Sequence, residues 1–353
     1  MKKKTKKRIK ILVVIVLVLL IGLGIGYIVL GDKINTPKKE NKKEKKEEIK
    51  PVKKVKIIDE DSKSRPYAVM INNNKAVWGY QAGLQDSHIT YEIIVEGGIT
   101  RLMAIFKDKE TTRIASVRSS RHYFLDYALE NDAIYAHIGQ SPQALKAMST
   151  LKINKVNADN SQAFIWDNNL KKISREHRAY TSIQSLSEAA EKLGYRKNTI
   201  TKNLLEYSVD SLNLAELEGA LPANNIKINY SNYHTTSFVY DAENKVYKRF
   251  QNNLEHKDYI TGLQYTTKNI ITYQVYNYTM ADPDNKGRQD LNNIGTGEGY
   301  FISEGYYIPI TWEKTSSSSQ TIYKVKSTGE NLVVNDGNTY IEIQPKGRSI
   351  TIE

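Results

Sequence analysis

Hydrophobic residues are distributed along this chain in two different ways. An unbroken uncharged run extends from Ile11 to Gly31, long enough for a helix to cross a hydrocarbon core of about 30 Å. It follows a basic head that holds seven Lys and Arg residues. From residue 65 onward the apolar residues fall instead into short runs separated by turn-forming residues. The pattern predicts a basic head and transmembrane signal anchor at residues 1–31, followed by a larger folded part.

The order of the basic head and the apolar run is that of an export signal, and no A-x-A cleavage site follows it. Residues 32–50 carry eight further Lys and Arg residues, so the positive-inside count is nearly balanced. A large domain after such a segment is usually translocated, so we expect a single-pass plasma-membrane protein with the bulk of the chain extracytoplasmic. Residues 32–57 are a charged low-complexity stretch that predicts a solvated tether, at most roughly 85–90 Å long.

The folded part divides by pattern into two regions. Residues 58–222 alternate strand-like and helix-like runs and predict an α/β domain with a mixed sheet. The predicted strands there are Tyr67–Ile71, Ile89–Glu96, Ile99–Phe106, Arg113–Val117 and Ala133–Ile138, and the predicted helices are Ser120–Glu130, Ser141–Leu151 and Ser185–Leu193. Residues 223–353 show period-two alternation and predict a mainly-β C-terminal domain. The fold class expected overall is α+β.

Net charge and cysteine content exclude several classes of function for this protein. The net charge is +12, but residues 1–57 carry +13 and the other 296 residues carry −1. The folded part is therefore close to neutral, which argues against nucleic acid as a partner. The chain contains no cysteine, which excludes thiol nucleophiles, thiolate metal sites, disulfides and the acylated cysteine of a lipoprotein.

Polar side chains gather at the ends of two predicted strands. If Arg113–Val117 and Ala133–Ile138 belong to one βαβ unit, their carboxyl ends meet at one edge of the sheet, where open α/β sheets bind ligands. That edge would receive one set of residues from each strand, namely Arg118, Ser119, Ser120 and Arg121 from the first, and His137, Gly139 and Ser141 from the second. Such a set suits a carboxylate or phosphate. In the alternative interpretation the arginines pair with acids such as Asp126 or Glu130, and the serines only cap helices.

The predicted hairpin adds candidates to this edge. With Gly97-Gly98 as a two-residue turn, Ile94 lies opposite Arg101, so Glu92 and Glu96 share a face with Arg101. These three residues predict a further part of the ligand site, or alternatively a solvated salt bridge. A metal-independent hydrolase that uses Glu92 or Glu96 with His137 is the alternative function.

Three weaker signals predict neither a cofactor nor a metal. Ser149 and Lys152 match S-x-x-K, but the companion S-D-N and K-T-G motifs are absent from the sequence. The stretch 282–287 begins like a calcium loop, yet Lys286 stands where a ligand is needed. The six histidines show no metal-ligand spacing.

Several longer motifs carry a family resemblance. They are Arg65–Asn73, Val95–Arg101 with Tyr91-Glu92, Val117–Arg121, Ser141–Ala144, Gly287–Gly297 and Ile308–Trp312. With these motifs the chain resembles the YerB-like family of bacterial envelope proteins. The resemblance implies two domains and an extracytoplasmic location, but no reaction. Because the lipidated cysteine is missing, we expect a transmembrane helix in place of a lipid anchor.

Together these observations predict a membrane-anchored protein of a Gram-positive envelope. We expect it to bind an anionic envelope component or a partner protein of cell-wall assembly. The expected partners are the membrane, through residues 11–31, and wall polymer, peptidoglycan or an envelope protein.

Overall fold

The computed structural model describes residues 54–281 and 283–353. The predicted signal anchor and all but the last four residues of the predicted tether lie outside this part of the chain. Within the described ranges, no helix is both long enough and apolar enough to cross a membrane.

Short strands dominate the described residues. The strands are β1 Tyr67–Asn72, β2 Ile89–Ile94, β3 Thr100–Phe106, β4 Ile114–Ala115, β5 Ile134–His137, β6 Lys155–Asn157, β7 Ile165–Trp166, β8 Ala179–Thr181, β9 Glu206–Ser208, β10 Leu221–Pro222, β11 Asn225–Asn229, β12 Thr235–Asp241, β13 Val246–Gln251, β14 Leu254–Glu255, β15 Thr266–Thr267, β16 Asn269–Val275, β17 Asn277–Thr279, β18 Gln289–Leu291, β19 Gly295–Ser303, β20 Tyr306–Lys314, β21 Ile322–Val325, β22 Val333–Asn335, β23 Thr339–Pro345 and β24 Ile350–Ile352. The α-helices are α1 Phe124–Glu130, α2 Pro142–Thr150 and α3 Ile183–Lys192.

An eleven-stranded mixed sheet runs through the fold in the order β10-β20-β19-β16-β23-β2-β3-β1-β5-β6, with β21 added to β20. Its two halves come from the two ends of the chain and join where β2 pairs in parallel with β23. A second sheet has the order β14-β13-β12-β11-β24, with β15 on β13. The central strands are buried along their whole length, as in β3, because both faces of the large sheet are covered.

The cover differs between the two faces. On one face Met103 and Ile105 of β3 pack in the same core as Phe124 and Tyr127 of α1. On the other face Leu102 of β3 packs in a core with residues of α3 such as Leu186. The second sheet covers that same face further along, where Phe238 of β12 contacts Tyr340 of β23 with ring centroids 5.8 Å apart.

The helix predicted over 141–151 is confirmed at its start, whereas the one predicted over 185–193 begins two residues earlier, at Ile183. Ser141 caps α2 by accepting a hydrogen bond from the Ala144 amide, and Pro142 is the first helical residue. Ser182 caps α3 in the same way, and Gly194 follows its last turn with a positive φ. The predicted helix over 120–130 is shorter than expected, since regular helix starts only at Phe124.

The sheet-rich α+β class and the β-rich C-terminal region are confirmed. The described residues after Pro222 hold strands β11–β24 and no α-helix. The predicted division of the folded part at residues 222/223 stays a prediction.

The predicted βαβ unit is wrong in its first strand. Only Ile114–Ala115 of the predicted run is a strand, and it pairs antiparallel with β8 rather than parallel with β5. β5 instead lies parallel to β1 and β6. The segment that follows β4 nevertheless lies beside the end of β5, as expected. Ser120 forms a parallel bridge with Gln140, and the Ser120 amide donates to the Gly139 carbonyl at 3.0 Å.

The predicted hairpin is confirmed, but its register is off by one residue. Arg101 pairs with Ile93, and Ile94 pairs with Thr100. The reason is a longer turn, in which the Val95 amide donates to the Ile99 carbonyl at 2.8 Å and Glu96–Gly98 form a 3₁₀ turn. A shift of one residue reverses the face on which a side chain lies, so Glu92 lies on the opposite face from Arg101.

Candidate functional site

Three arginines meet beside the turn that joins β2 and β3, and we call them the arginine cluster: Arg101, Arg118 and Arg121. Arg121 donates two parallel hydrogen bonds to Glu96, from Nε to Oε1 at 2.5 Å and from Nη2 to Oε2 at 2.9 Å. Burial alone would raise the pKa of Glu96, but the bonds from Arg121 outweigh it and lower that pKa. The partner of Glu96 is therefore Arg121, whereas the sequence pattern places Glu96 beside Arg101.

Arg101 is the buried member of the cluster. Only 7% of its surface is exposed, and its Nη1 donates to the Ser119 carbonyl at 2.7 Å. Its Nε has no hydrogen-bond partner, and Arg101 forms no ion pair with any residue that the structure describes. Burial, followed by the nearby charge of Arg121, lowers the pKa of Arg101 to about 9. A buried cation without a carboxylate partner is costly in a folded protein.

Arg118 completes the cluster at the surface. Its Nη1 donates to the Glu176 carbonyl at 3.3 Å, and its Nη2 lies 3.7 Å from the Glu176 carboxylate. The Glu176 side chain is 59% exposed, so this ion pair is weak. The cluster thus has more positive charge than its two glutamates compensate.

Ser119 and Ser141, two further residues predicted for the site, make structural contacts near the cluster. Ser119 contributes its carbonyl to Arg101, and its Oγ lies 3.0 Å from where a Cβ on Gly139 would sit. Gly139 has φ +72°, so this close approach and this backbone conformation both favour glycine. Ser141 is 3% exposed and is occupied in capping α2, as the alternative interpretation of the serines expects.

His137 is fully buried beside Tyr135. Its Nδ1 bonds to the Gly139 carbonyl at 2.9 Å, and its Nε2 has no partner among the described residues. Burial lowers the pKa of His137 to about 4, so the ring is neutral at physiological pH.

Glu92 lies in a different place, between the two sheets. Its Oε1 accepts from Thr100 at 2.6 Å and bonds to Nε2 of His234 at 2.9 Å. Its Oε2 accepts from Arg249 at 2.5 Å and from Thr236 at 2.9 Å. Burial raises the pKa of Glu92, but Arg249 and His234 outweigh it, so the pKa falls and the group stays ionised. We call Glu92, His234 and Arg249 the buried triad.

A second carboxyl group lies beside the buried triad. Glu342 of β23 pairs with Glu92 across the β2–β23 ladder and accepts a hydrogen bond from Tyr230 at 2.6 Å. Burial and the charge of Glu92 raise the pKa of Glu342 well above its usual range. One ionised and one neutral carboxyl therefore share this space, because two adjacent buried charges of one sign are too costly.

The sequence pattern missed the partners of Glu92. His234 and Arg249 are 142 and 157 residues away along the chain, and no local spacing connects them to β2. The alternation of apolar and polar residues in β12 and β13 indicates which face is buried. It does not predict that an arginine lies on that buried face.

The contacts give no support to the hydrolase alternative. The histidine beside Glu92 is His234, and Glu96 is held by Arg121. Neither glutamate bonds to His137 among the described residues. All three members of the buried triad are at most 1% exposed, which leaves no room for a substrate.

The stretch that begins like a calcium loop is only partly described. Asp284, in the predicted loop, receives two hydrogen bonds from Arg288 at 2.6 and 2.9 Å, and Asp282 lies outside the described residues. Within the described ranges, no group of three or more His, Cys, Asp or Glu side chains is arranged to hold a metal.

Two family profiles match this chain. Residues 54–196 match the N-terminal domain, and residues 226–341 the C-terminal domain, of a protein of unknown function, DUF3048.

A curated relative and a solved structure agree with these profiles. The chain is 29% identical over 302 residues to "Putative lipoprotein YerB" of Bacillus subtilis strain 168, which covers 84% of this chain and 86% of the relative. The crystal structure of the YerB protein from Bacillus subtilis superposes with a TM-score of 0.68 at 28% identity, covering 82% of this chain and 94% of that chain. This chain therefore belongs to the YerB-like family, whose N- and C-terminal domains are both of unknown function.

Proposed function

We propose that this protein is a membrane-anchored extracytoplasmic binding protein, and that its arginine cluster holds a carboxylate or phosphate of an envelope component. The membrane attachment is supported by the apolar run at residues 11–31 and by the name of the relative, "Putative lipoprotein YerB". The family description names no activity, so the ligand is argued from the cluster itself.

The observation that carries the proposal is the state of Arg101. A guanidinium that is 7% exposed and bonds to one carbonyl lacks the partner that buried cations have. An anion bound beside it would supply that partner and would also neutralise the surplus charge of Arg118. The two parallel hydrogen bonds from Arg121 to the Glu96 carboxylate support the proposal, because they are the geometry in which a guanidinium binds an oxyanion.

The experiment uses the full-length chain in detergent, titrated calorimetrically with three probes. These are inorganic phosphate, a phosphate-containing wall polymer and a carboxylate-bearing peptidoglycan fragment. A charge-assisted contact contributes about 1.5–3 kcal/mol, so Arg118→Ala should weaken binding roughly ten- to a hundredfold. Arg196→Ala is the matched control, because Arg196 is a partly exposed arginine that pairs with Asp132 elsewhere.

The three probes separate the sources of the anion. Binding of the phosphate polymer alone identifies a phosphate ligand, and binding of the peptidoglycan fragment alone identifies a carboxylate ligand. If wild-type protein binds none of them, or if Arg118→Ala binds as the wild type does, the cluster is not an anion site. Binding should also weaken with added salt, because Arg118 is partly exposed.

A further inference from the structure

A groove of about 400 Å³ opens on the other side of the turn that carries Glu96. Gly98 of that turn, the loop over 230–233, the β17–β18 pair and the end of β23 form its walls. We call it the tyrosine groove, and six of its residues carry the argument: Asn232, Tyr233, Asn277, Tyr278, Gln289 and Arg348.

Exposed tyrosine rings gather at this groove. Tyr233 is 73% exposed and Tyr278 43%, and the neighbouring Tyr276 is 57% exposed. Five tyrosines among the described residues are at least 36% exposed, and three of them lie in this groove or next to it. The rings of Tyr276 and Tyr278 lie 6.1 Å apart and are inclined by only 31°, which presents a nearly continuous aromatic surface. Clustered exposed aromatic area marks an interaction site.

Hydrogen bonds hold this aromatic surface in place. The Tyr278 hydroxyl donates to Asp290 at 2.8 Å, and Asp290 also bonds to Nε2 of His122 at 2.7 Å. The Tyr233 amide donates to the Ser231 hydroxyl at 2.9 Å, and the Ser231 hydroxyl donates to the Gly98 carbonyl at 2.5 Å. The Tyr278 ring and the backbone at Tyr233 are thus held before binding, which reduces the entropy lost when a ligand arrives.

The polar side chains of the groove are planar and mostly uncharged. Asn277 donates to Gln289 at 3.0 Å, and Arg348 donates to the Asn232 side chain at 3.1 Å. Amides present donors and acceptors side by side, which matches hydroxyl and acetamido groups. The groove walls contain one arginine and no carboxylate, so they do not select a cation.

We propose that the tyrosine groove binds one or two pyranose rings of an uncharged glycan. A pyranose ring has an apolar face of C–H groups that stacks on tyrosine, and a rim of hydroxyls that amides recognise. The volume of the groove falls within the range of small-molecule sites. This inference does not rest on anion binding, although Glu96 and Gly98 belong to one turn and place the two sites side by side.

The test is calorimetric titration of the full-length chain in detergent with an uncharged hexamer of β-1,4-linked N-acetylglucosamine. Tyr233→Ala and Tyr278→Ala should each weaken binding about tenfold, since each removes one stacking ring. Tyr233→Phe should bind as the wild type does, because it keeps the ring. Tyr306→Ala is the matched control, an exposed tyrosine outside the groove that should leave affinity unchanged.

Several outcomes would overturn the proposal. It fails if wild-type protein does not bind the hexamer at millimolar concentration, or if Tyr233→Ala and Tyr278→Ala bind it unchanged. It also fails if a sugar-free wall peptide binds in the groove and the hexamer does not. Arg118→Ala should bind the uncharged hexamer normally, so loss of the anion site and loss of the sugar site are separate results.

Discussion

Two arginines in this protein are buried to a similar extent but have different partners. Arg249 is fully buried, and its Nη2 lies 2.5 Å from the Glu92 carboxylate. Burial lowers the pKa of Arg249, but the charge and hydrogen bond of Glu92, together with the neighbouring Tyr340 and Glu342, outweigh burial and raise it. Arg101 forms no ion pair with a carboxylate among the described residues, and burial lowers its pKa to about 9. Arg249 is therefore compensated by a buried carboxylate, whereas burying the unpaired charge of Arg101 lowers the stability of the folded state.

Substituting each of them by methionine should therefore have opposite effects on stability. Arg249→Met leaves the Glu92 carboxylate buried with no cation, and should lower the free energy of unfolding by about 3–5 kcal/mol. Arg101→Met removes an unpaired charge but also one hydrogen bond, and should raise that free energy by about 1 kcal/mol. Urea unfolding of both variants measures the difference. A large loss of stability in Arg101→Met would show that Arg101 is a structural residue.

His137 makes stability depend on pH. Burial lowers its pKa to about 4 in the folded state, whereas an unfolded chain has a histidine pKa near 6.5. Below about pH 6.5 the unfolded state therefore binds a proton that the folded state does not, and stability falls as the pH falls towards about 4.

The expected loss from His137 is about 3 kcal/mol between these pH values. His137→Gln should flatten the slope of unfolding free energy against pH, whatever its effect on absolute stability at pH 7. His88→Gln is the matched variant, since burial lowers the pKa of His88 to about 3. An unchanged slope in both variants would contradict the assignment of two neutral buried rings.

At the scale of elements, the turn between β2 and β3 decides which site each glutamate joins. It contains three residues, Glu96–Gly98, rather than two, and the resulting shift in register places Glu92 in the buried triad and leaves Glu96 at the arginine cluster. Gly97 and Gly98 have φ values of +70° and +68°, a conformation that side chains with a Cβ rarely adopt.

The two glycines allow a matched pair of substitutions. A Cβ on Gly97 would meet nothing within 4 Å, so Gly97→Ala carries only the backbone strain of about 1–2 kcal/mol. A Cβ on Gly98 would lie 2.8 Å from the Ser231 hydroxyl and 3.1 Å from the Tyr233 ring. Gly98→Ala should therefore cost more stability and also weaken glycan binding in the tyrosine groove, as measured by unfolding and titration. Equal effects of the two substitutions would show that the contact with the 230–233 loop is unimportant.

Local patterns predict the elements but not all of their pairings. The apolar runs and the Gly-Gly signal locate β2, β3 and the turn correctly, because side-chain alternation and turn chemistry are local properties. The register is not fixed by these patterns, since it depends on whether the turn contains two residues or three. Strand pairing is likewise not predicted correctly for β4. Arg118 and Arg121 nevertheless lie beside the end of β5, as expected, although no strand parallel to β5 carries them there.

At the scale of the whole molecule, the two halves share their hydrogen bonds. The ladder between β2 and β23 joins strands that are far apart in the sequence, and it makes the large sheet continuous. The buried triad adds contacts between β2 and the second sheet, because Glu92 bonds to both His234 and Arg249. Neither feature can be derived from local pattern, since both pair residues more than a hundred positions apart. The two regions matched by separate family profiles are thus structurally coupled.

This coupling predicts that the described part of the chain unfolds in one cooperative transition. Glu92→Gln removes the charge that compensates Arg249 in the contact between the sheets, and should lower the free energy of unfolding by about 3–5 kcal/mol. Because Glu92 bonds to Thr100 in one half and to His234 and Arg249 in the other, the whole calorimetric transition should move to lower temperature without splitting. The control is Glu191→Gln, which breaks a surface ion pair with Lys197 and should leave the transition where it is. The prediction is wrong if the wild type shows two separate transitions and only one of them moves in Glu92→Gln. Each half would then unfold independently, and the shared sheet would contribute little to the coupling between them.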